Sequence, residues 1–235
     1  MKSINTYITE KFQVSKDNIG EYACSPKTKE ELREILEERL AEDKNADLND
    51  IDVSYITDMG LLGYSTGLFE DLDPHNIDVS EWDVSKVKDM RYMFYDCKNF
   101  NADLSNWDIS NVEDMHSTFF DCNKFEGKGL EKWNVDNLTN MNHMFTGCNN
   151  FNSNLSKWDV SKAEDMESMF ALCQHFNIDL SKWNTSKVRN MHDMFFMCTN
   201  FNSDLSNWDV SNVKDMSGMF DGCHSLKNIP KWYKR

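Results

Sequence analysis

Chemistry in this chain, if there is any, should show first in its cysteines. Cys97, Cys122, Cys148, Cys173, Cys198 and Cys223 recur every 25 residues, with one interval of 26. Such a ladder of thiols offers two chemistries. Neighbouring sulfurs could be bridged, since a disulfide tolerates Cα separations near 5 Å, or they could bind a soft metal. No Cys-x-x-Cys accompanies them, which disfavours a zinc site. Each cysteine also shares a spacing with methionine and phenylalanine, where a small apolar thiol packs well. Buried free thiols are therefore the expectation. The methionine pairs Met90/Met93, Met141/Met144, Met166/Met169, Met191/Met194 and Met216/Met219 read as core for the same reason.

Other candidate chemistry is thinner. Of the histidines His75, His116, His143, His175, His192 and His224, His116 and His192 hold one repeat position three repeats apart and cannot share a metal. The run Asp71-Leu-Asp73-Pro-His-Asn76-Ile-Asp78 is rich in oxygen ligands. It lacks the central glycine of a calcium loop, and Trp82 stands where the bidentate glutamate belongs. No nucleophile elbow, phosphate-binding loop, nucleotide fingerprint or His-Glu-x-x-His occurs. No catalytic residue, metal or cofactor is assigned, and an enzyme is not expected.

What positions these residues is a repeat. Trp82, Trp107, Trp133, Trp158, Trp183 and Trp208 mark the same six copies as the cysteines. A period in the twenties signals a solenoid, whose units are too small to bury their own apolar face and must stack. Within a unit, Trp107-Asp108-Ile109 alternates in–out–in like a short strand. Met115, Thr118/Phe119 and Cys122 follow at i, i+3/i+4 and i+7, the stripe of a two-turn helix. Asp89, Asp114, Asp165 and Asp215, with Asn140 and Asn190, stand where N-caps belong. Asn101, Asn152, Asn177 and Asn202 are expected to bond backbone where the chain turns inward.

Along the chain, residues 3–12 carry Ile4, Tyr7, Ile8 and Phe12 at helical spacing. Thr28-Lys-Glu-Glu31 is a capping box and opens a helix over about 29–42. Its stripe is Leu32, Ile35, Leu36, Leu40 and Ala41. The expected organisation is a helical cap over 1–50, a repeat solenoid over 51–228 with one degenerate and six regular turns, and a C-terminal cap over 229–235. An insertion falls at Gly60–Asp73, and the glycines of Phe125-Glu-Gly-Lys-Gly-Leu130 suggest a bulge.

The unit Trp-Asp-Val-Ser-x-Val-x-Asp-Met-x-x-Met-Phe-x-x-Cys-x-x-Phe-Asn-x-Asp-Leu-Ser resembles the BspA-like leucine-rich-repeat proteins, in the subgroup called the Mycoplasma DUF285 repeat. The resemblance covers about residues 51–228, and the lead-in from Pro26 to Leu32 is similar to the N-terminal caps of those proteins. It implies an α/β fold, a leucine-rich-repeat-like right-handed solenoid with one short strand and one short helix per turn. It further implies a surface adhesin role for exported members and brings no catalytic residues.

The functional signal lies on the outer surface. The position between inward Trp and Val carries Asp83, Asp108, Asn134, Asp159, Asn184 and Asp209; its neighbour across the Trp carries Glu81, Asn106, Lys132, Lys157, Lys182 and Asn207. This strand-face column either simply solubilises the molecule or is a rigid docking strip. Because the column points outward, Asp159→Ala should change stability by less than about 0.5 kcal/mol. The net charge of −15 disfavours nucleic acid and anionic membranes as partners and favours a protein with a basic surface. Two readings follow: a non-enzymatic protein-interaction module, or an intracellular inhibitor of a nucleic-acid-processing enzyme, of the phage or mobile-element kind. A continuous acidic patch would favour the inhibitor, and mixed Lys and Asp the docking module. Residues 1–25 hold no apolar run suited to a signal peptide or membrane span, so a cytoplasmic location is expected, with the extracellular surface as the alternative.

Overall fold

The computed structural model describes residues 22–63 and 66–234; the helix expected over 3–12 lies outside them. Helix α1, Lys29–Glu42, matches its expected bounds. Thr28 Oγ1 accepts the Glu31 amide at 3.2 Å, and the Glu31 carboxylate accepts the Lys27 amide at 2.6 Å. Leu32, Ile35, Leu36 and Leu40 are buried, whereas Ala41 is exposed and drops out of the stripe. The polar face of α1 is tied down as well. Arg39 forks onto Asp50, and Lys29 reaches Asp58 at 2.6 Å.

From residue 58 onward, successive units lie side by side in parallel. Bridges run Asp58↔Asp89↔Asp114↔Asn140↔Asp165↔Asn190↔Asp215. Earlier bridges, Cys24↔Ile51 and Asp47↔Asp78, extend the pairing back into the segment expected to be cap. No α-helix and no strand longer than an isolated bridge forms within the described residues of 51–228, contrary to the expected strand and two-turn helix per unit. In place of the helix stands a run of overlapping turns. Met93, Tyr95 and Cys97 donate their amides three residues back, to Met90, Tyr92 and Phe94. The intervening amides of Met90, Tyr92, Phe94 and Asp96 donate to Asp114, His116, Thr118 and Phe120 of the next unit. Two residues per unit take a left-handed backbone to allow this, Tyr92 at φ 59° and Asp96 at φ 56° in this copy, each third in its turn as in type II. Apolar side chains still face inward at i, i+3, i+4 and i+7. That spacing is shared by a helix and by tandem turns, which is why the periodicity misled.

Within this run of turns the inter-unit bonds point one way, from each unit to the following one, whereas amides such as Glu113 and Glu164 elsewhere donate to the preceding unit. In this run the unpaired carbonyls therefore face α1. There the Arg33 guanidinium donates to the carbonyls of Leu68 at 2.9 Å and Glu70 at 2.8 Å, placing a cation where the aligned dipoles end negative.

The interior is built of ladders. Trp82, Trp107, Trp133, Trp158, Trp183 and Trp208 are 3–5 % exposed. Each indole Nε1 from Trp107 onward donates to a carbonyl of the preceding unit, for example Trp158 to Leu130 at 2.8 Å. Trp232 extends this ladder, stacked on Trp208 with ring centroids 6.4 Å apart and donating to Leu205. The phenylalanines stack alongside, Phe145 on Phe170 at 5.8 Å. Asn101, Asn152, Asn177 and Asn202 each accept an amide from the next unit, as expected of them. The irregular third unit bends through Gly127 and Gly129 into a short 3-10 turn, Leu130–Lys132. Gly129 sits at φ 93°, and a Cβ there would fall 2.3 Å from the Ser105 backbone nitrogen.

Candidate functional site

The strand-face column stands in water, as its alternation requires: Glu81, Asp83, Asp108, Lys132, Asn134, Lys157, Asp159, Lys182, Asn184 and Asp209 are all exposed. Its acidic members are not idle charges. Asp83 Oδ1 accepts the Ser85 amide, Asp108 that of Ser110, Asn134 that of Asp136, Asp159 that of Ser161, Asn184 that of Ser186 and Asp209 that of Ser211, all at 2.9–3.2 Å. These are Asx turns. They explain why this slot alternates between Asp and Asn and accepts neither Glu nor Lys, whose longer side chains cannot close the ring. Hydrogen bonds from Ser110 and Ser161 hold the Asp108 and Asp159 carboxyls below the usual range.

The same device recurs at the expected N-caps. Asp114, Asn140, Asp165, Asn190 and Asp215 each accept the amide two residues on, although no helix follows. Capping chemistry is thus preserved and put to work on turns.

Charge on this face is mixed. Lys132, Lys157 and Lys182 interrupt the acids. The next outward positions add Lys86, Lys162, Lys187, Lys88, Arg189 and Lys214 against Glu113 and Glu164. Arg189 pairs with Glu164 at 3.5 Å and Lys88 with Glu113 at 3.6 Å. Beside Lys132, the bulge leaves an open polar groove of about 620 Å³ lined by Asn76, Asp78, Asn101, Asp103, Lys128 and Lys132 among others. Lys128 pairs with Asp103 at 2.6 Å and, with Ser105, holds its carboxyl down to about 2.

The thiols take no part in a site. All seven cysteines are free and buried. From Cys122 to Cys223 each repeat sulfur lies 2.8–3.0 Å from a phenylalanine carbonyl of the preceding unit. Burial pushes their pKa values up, to about 12 at Cys223, so they stay protonated and unreactive. His116 contacts Tyr92 and Asn142, and the burial of its ring together with neighbouring His143 lowers its pKa. In the Asp71–Asp78 loop, Asp73 engages Asn99 and His75, and Asp78 accepts the Ser80 amide. No three His, Cys, Asp or Glu side chains converge as metal ligands among the described residues. No helix among them is long and apolar enough to cross a membrane.

One surface went unread in the sequence. The second left-handed position of each unit forms a column on the opposite side: Asp96, Asp121, Gly147, Leu172, Met197 and Gly222, with φ between 56° and 78°. Leu172 and Met197 are 39 % and 40 % exposed, two of the four large apolar side chains standing in solvent among the described residues. Placing them required knowing the turn geometry. The recurrence of glycine at Gly147 and Gly222 was the available signal.

A family model described as Mycoplasma protein of unknown function, DUF285, matches the chain over residues 30–129 and 114–232. Neither a curated protein nor a solved structure matches it.

Proposed function

The chain belongs to the Mycoplasma DUF285 family of unknown function, and from that premise we propose that it is a non-enzymatic protein-interaction module, a solenoid whose outer column receives a partner protein. One observation carries the reading. Along the column, Lys132, Lys157 and Lys182 stand beside Asn134, Asp159 and Asn184, between Asp108 and Asp209, on turns whose amides are already held by the Asp and Asn side chains. A surface ordered in advance loses little conformational entropy when it docks. Such mixed charge gives register and specificity more than bulk attraction.

The second reading, an inhibitor that competes for a basic nucleic-acid groove, draws on the net charge of −15. It calls for a continuous acidic patch, and the lysines of this face speak against it.

Immobilised protein incubated with an extract of its source cells should retain a discrete partner protein. Changing Lys132, Lys157 and Lys182 together to Glu should abolish retention, while about 0.5 M salt should only weaken it. Equal retention by the triple variant removes the column from the site. Release at moderate salt, with competition by added DNA, transfers the conclusion to the inhibitor reading.

A further inference from the structure

Leu172 and Met197 break the rule of their own column. A left-handed backbone brings Cβ too close to the following carbonyl oxygen, a clash that glycine escapes and that aspartate, with a short polar side chain, visits more readily than other residues. Four of the six positions follow that preference, as Asp96, Asp121, Gly147 and Gly222. Leu172, at φ 64°, and Met197, at φ 57°, have neither excuse and expose their apolar side chains besides. They occupy adjacent units in register, since Leu172 donates its amide to Phe196 and Met197 to Asp221, both at 2.7 Å. Met197 lies over Gly222, its Sδ 2.3 Å from where a Cβ would stand. Buried Ala171 and half-buried Phe196 complete the apolar ground around the pair. Strain retained at two apolar side chains left about two-fifths in water points to a contact made elsewhere.

The rest of the column says what kind of contact. Beyond Gly147 stand Asp121 and Asp96, with Glu70 close enough to act, like them, on the phenol of Tyr95. Lys98 answers Asp96 at 3.1 Å. Asp121 has no cation within ion-pair distance among the described residues, and burial and Asp96 together raise its pKa. The column therefore reads acid, acid, glycine, apolar, apolar, glycine, at steps of about 4.8 Å for laterally paired backbone, with Asp121 leaning over Gly147 and Met197 over Gly222.

We propose that this column is a docking surface for a basic amphipathic helical segment of a partner protein, with two apolar residues on Leu172 and Met197 and cations on Asp121 and Asp96. A helix presents neighbours three or four residues apart at about 5–6 Å, one step of the column. Seven residues rise about 10.5 Å, close to the two steps from Leu172 to Asp121. The motif is thus an apolar pair at i and i+4, followed by Lys or Arg at i+11 and i+14 or i+15. This deepens the protein-interaction reading and rests on it, but on a different face from the strand-face column.

The test uses the full chain and a synthetic helical peptide with Leu at positions 4 and 8, Lys at 15 and 18, and neutral polar residues elsewhere. Calorimetric titration should show binding that is lost when the two Lys are replaced by Glu. The double variant Leu172→Gly/Met197→Gly should bind at least tenfold more weakly. It should also melt no lower than the wild type, and higher by about 2–8 °C per position if strain alone is relieved. Loss of binding with gain of stability is a result that a merely structural role for the pair would not give. Absence of peptide binding, undiminished binding by the double variant, or a self-association by sedimentation that the double variant abolishes would each overturn the proposal. If the peptide fails while the cell extract still yields a partner dependent on Lys132, Lys157 and Lys182, the interaction module survives and only this surface falls.

Discussion

On the Trp–Asp–Val side of a unit the chain changes direction at Asp108, Asn134 or Asp159, whose side chains accept an amide two residues on. On the Met–Phe–Cys side it changes direction at Ser117 and Asp121, and there the backbone itself bends into the left-handed region. Both sides meet the demand that every inward backbone group be paired, and they spend different resources on it. Where a side chain closes the turn, the residue type is fixed, and the slot has little freedom to answer a partner. Where the backbone closes the turn, any residue is admitted at a cost in strain, so an expensive choice such as Leu172 carries information. The face with more regular chemistry is consequently the less informative one about binding.

The widest test of that contrast asks whether both sides hang on one interior. Trp158 is 4 % exposed and its Nε1 donates to Leu130. Trp158→Ala should cost about 3–5 kcal/mol through the cavity it leaves; the Leu130 carbonyl loses the indole bond but keeps the Trp133 amide. A melting temperature unchanged from the wild type would mean that the indoles are not structural, and the two sides would then have to be treated as separate.

That interior was legible from the sequence because burial follows spacing alone. Trp, Met, Phe and Cys recur at one period, and each type lies inside. The capping box at Thr28 and the helix after it were equally legible, since those signals are local. The two-turn helix was not. Met115, Phe119 and Cys122 satisfy the i, i+4, i+7 rule of a helix, and tandem turns satisfy it too. The alternation puts the column at Asp83 and Asp108 outside, but its hydrogen bonds leave no mark in the sequence. An outward carboxylate looks the same in sequence whether it is solvated or closing a turn. Leu172 and Met197 are illegible for a third reason: they are conspicuous only once the sign of φ is known.

The second test sharpens the backbone side. Gly147 lies at φ 76°, and a Cβ there would fall 2.0 Å from Asp121 Oδ1, the end of a short side chain that can swing away. Gly147→Ala should therefore cost about 1–2 kcal/mol, the left-handed penalty. It remains foldable because Asp121 and Leu172 bear a Cβ at the same position. A change within error of zero by urea denaturation would mean that the column is unstrained, and Leu172 would lose its significance.

The third test addresses the side-chain turns. Asp159→Ala should cost about 0.5–1.5 kcal/mol by removing the acceptor for the Ser161 amide, more than an outward charge alone would. Asp159→Asn should change stability less, since Asn134 and Asn184 already hold the slot. If Ala and Asn prove equivalent, the Asx turn contributes nothing and the column reverts to a solubilising surface.

The smallest effect separates the two sides by sign. Hydrogen bonds from Ser161 lower the Asp159 pKa. Its contribution is fully present above the unfolded value near 3.9 and is lost as pH falls through the lower folded value. At Asp121 burial, reinforced by Asp96, raises the pKa. The folded state there holds its proton more tightly than the unfolded chain. Stability is thus greatest in acid and declines as pH rises from about 3.9 through the raised folded value. Comparing Asp121→Asn and Asp159→Asn with the wild type in thermal melts from pH 7 to pH 3 should give pH-dependent differences of opposite sign. The Asp121 variant should gain on the wild type toward neutral pH, and the Asp159 variant should lose. Two differences of the same sign would show that Asp121 is solvated like the acids across the unit, and with that the case for a cation-seeking carboxylate beside Leu172 would fail.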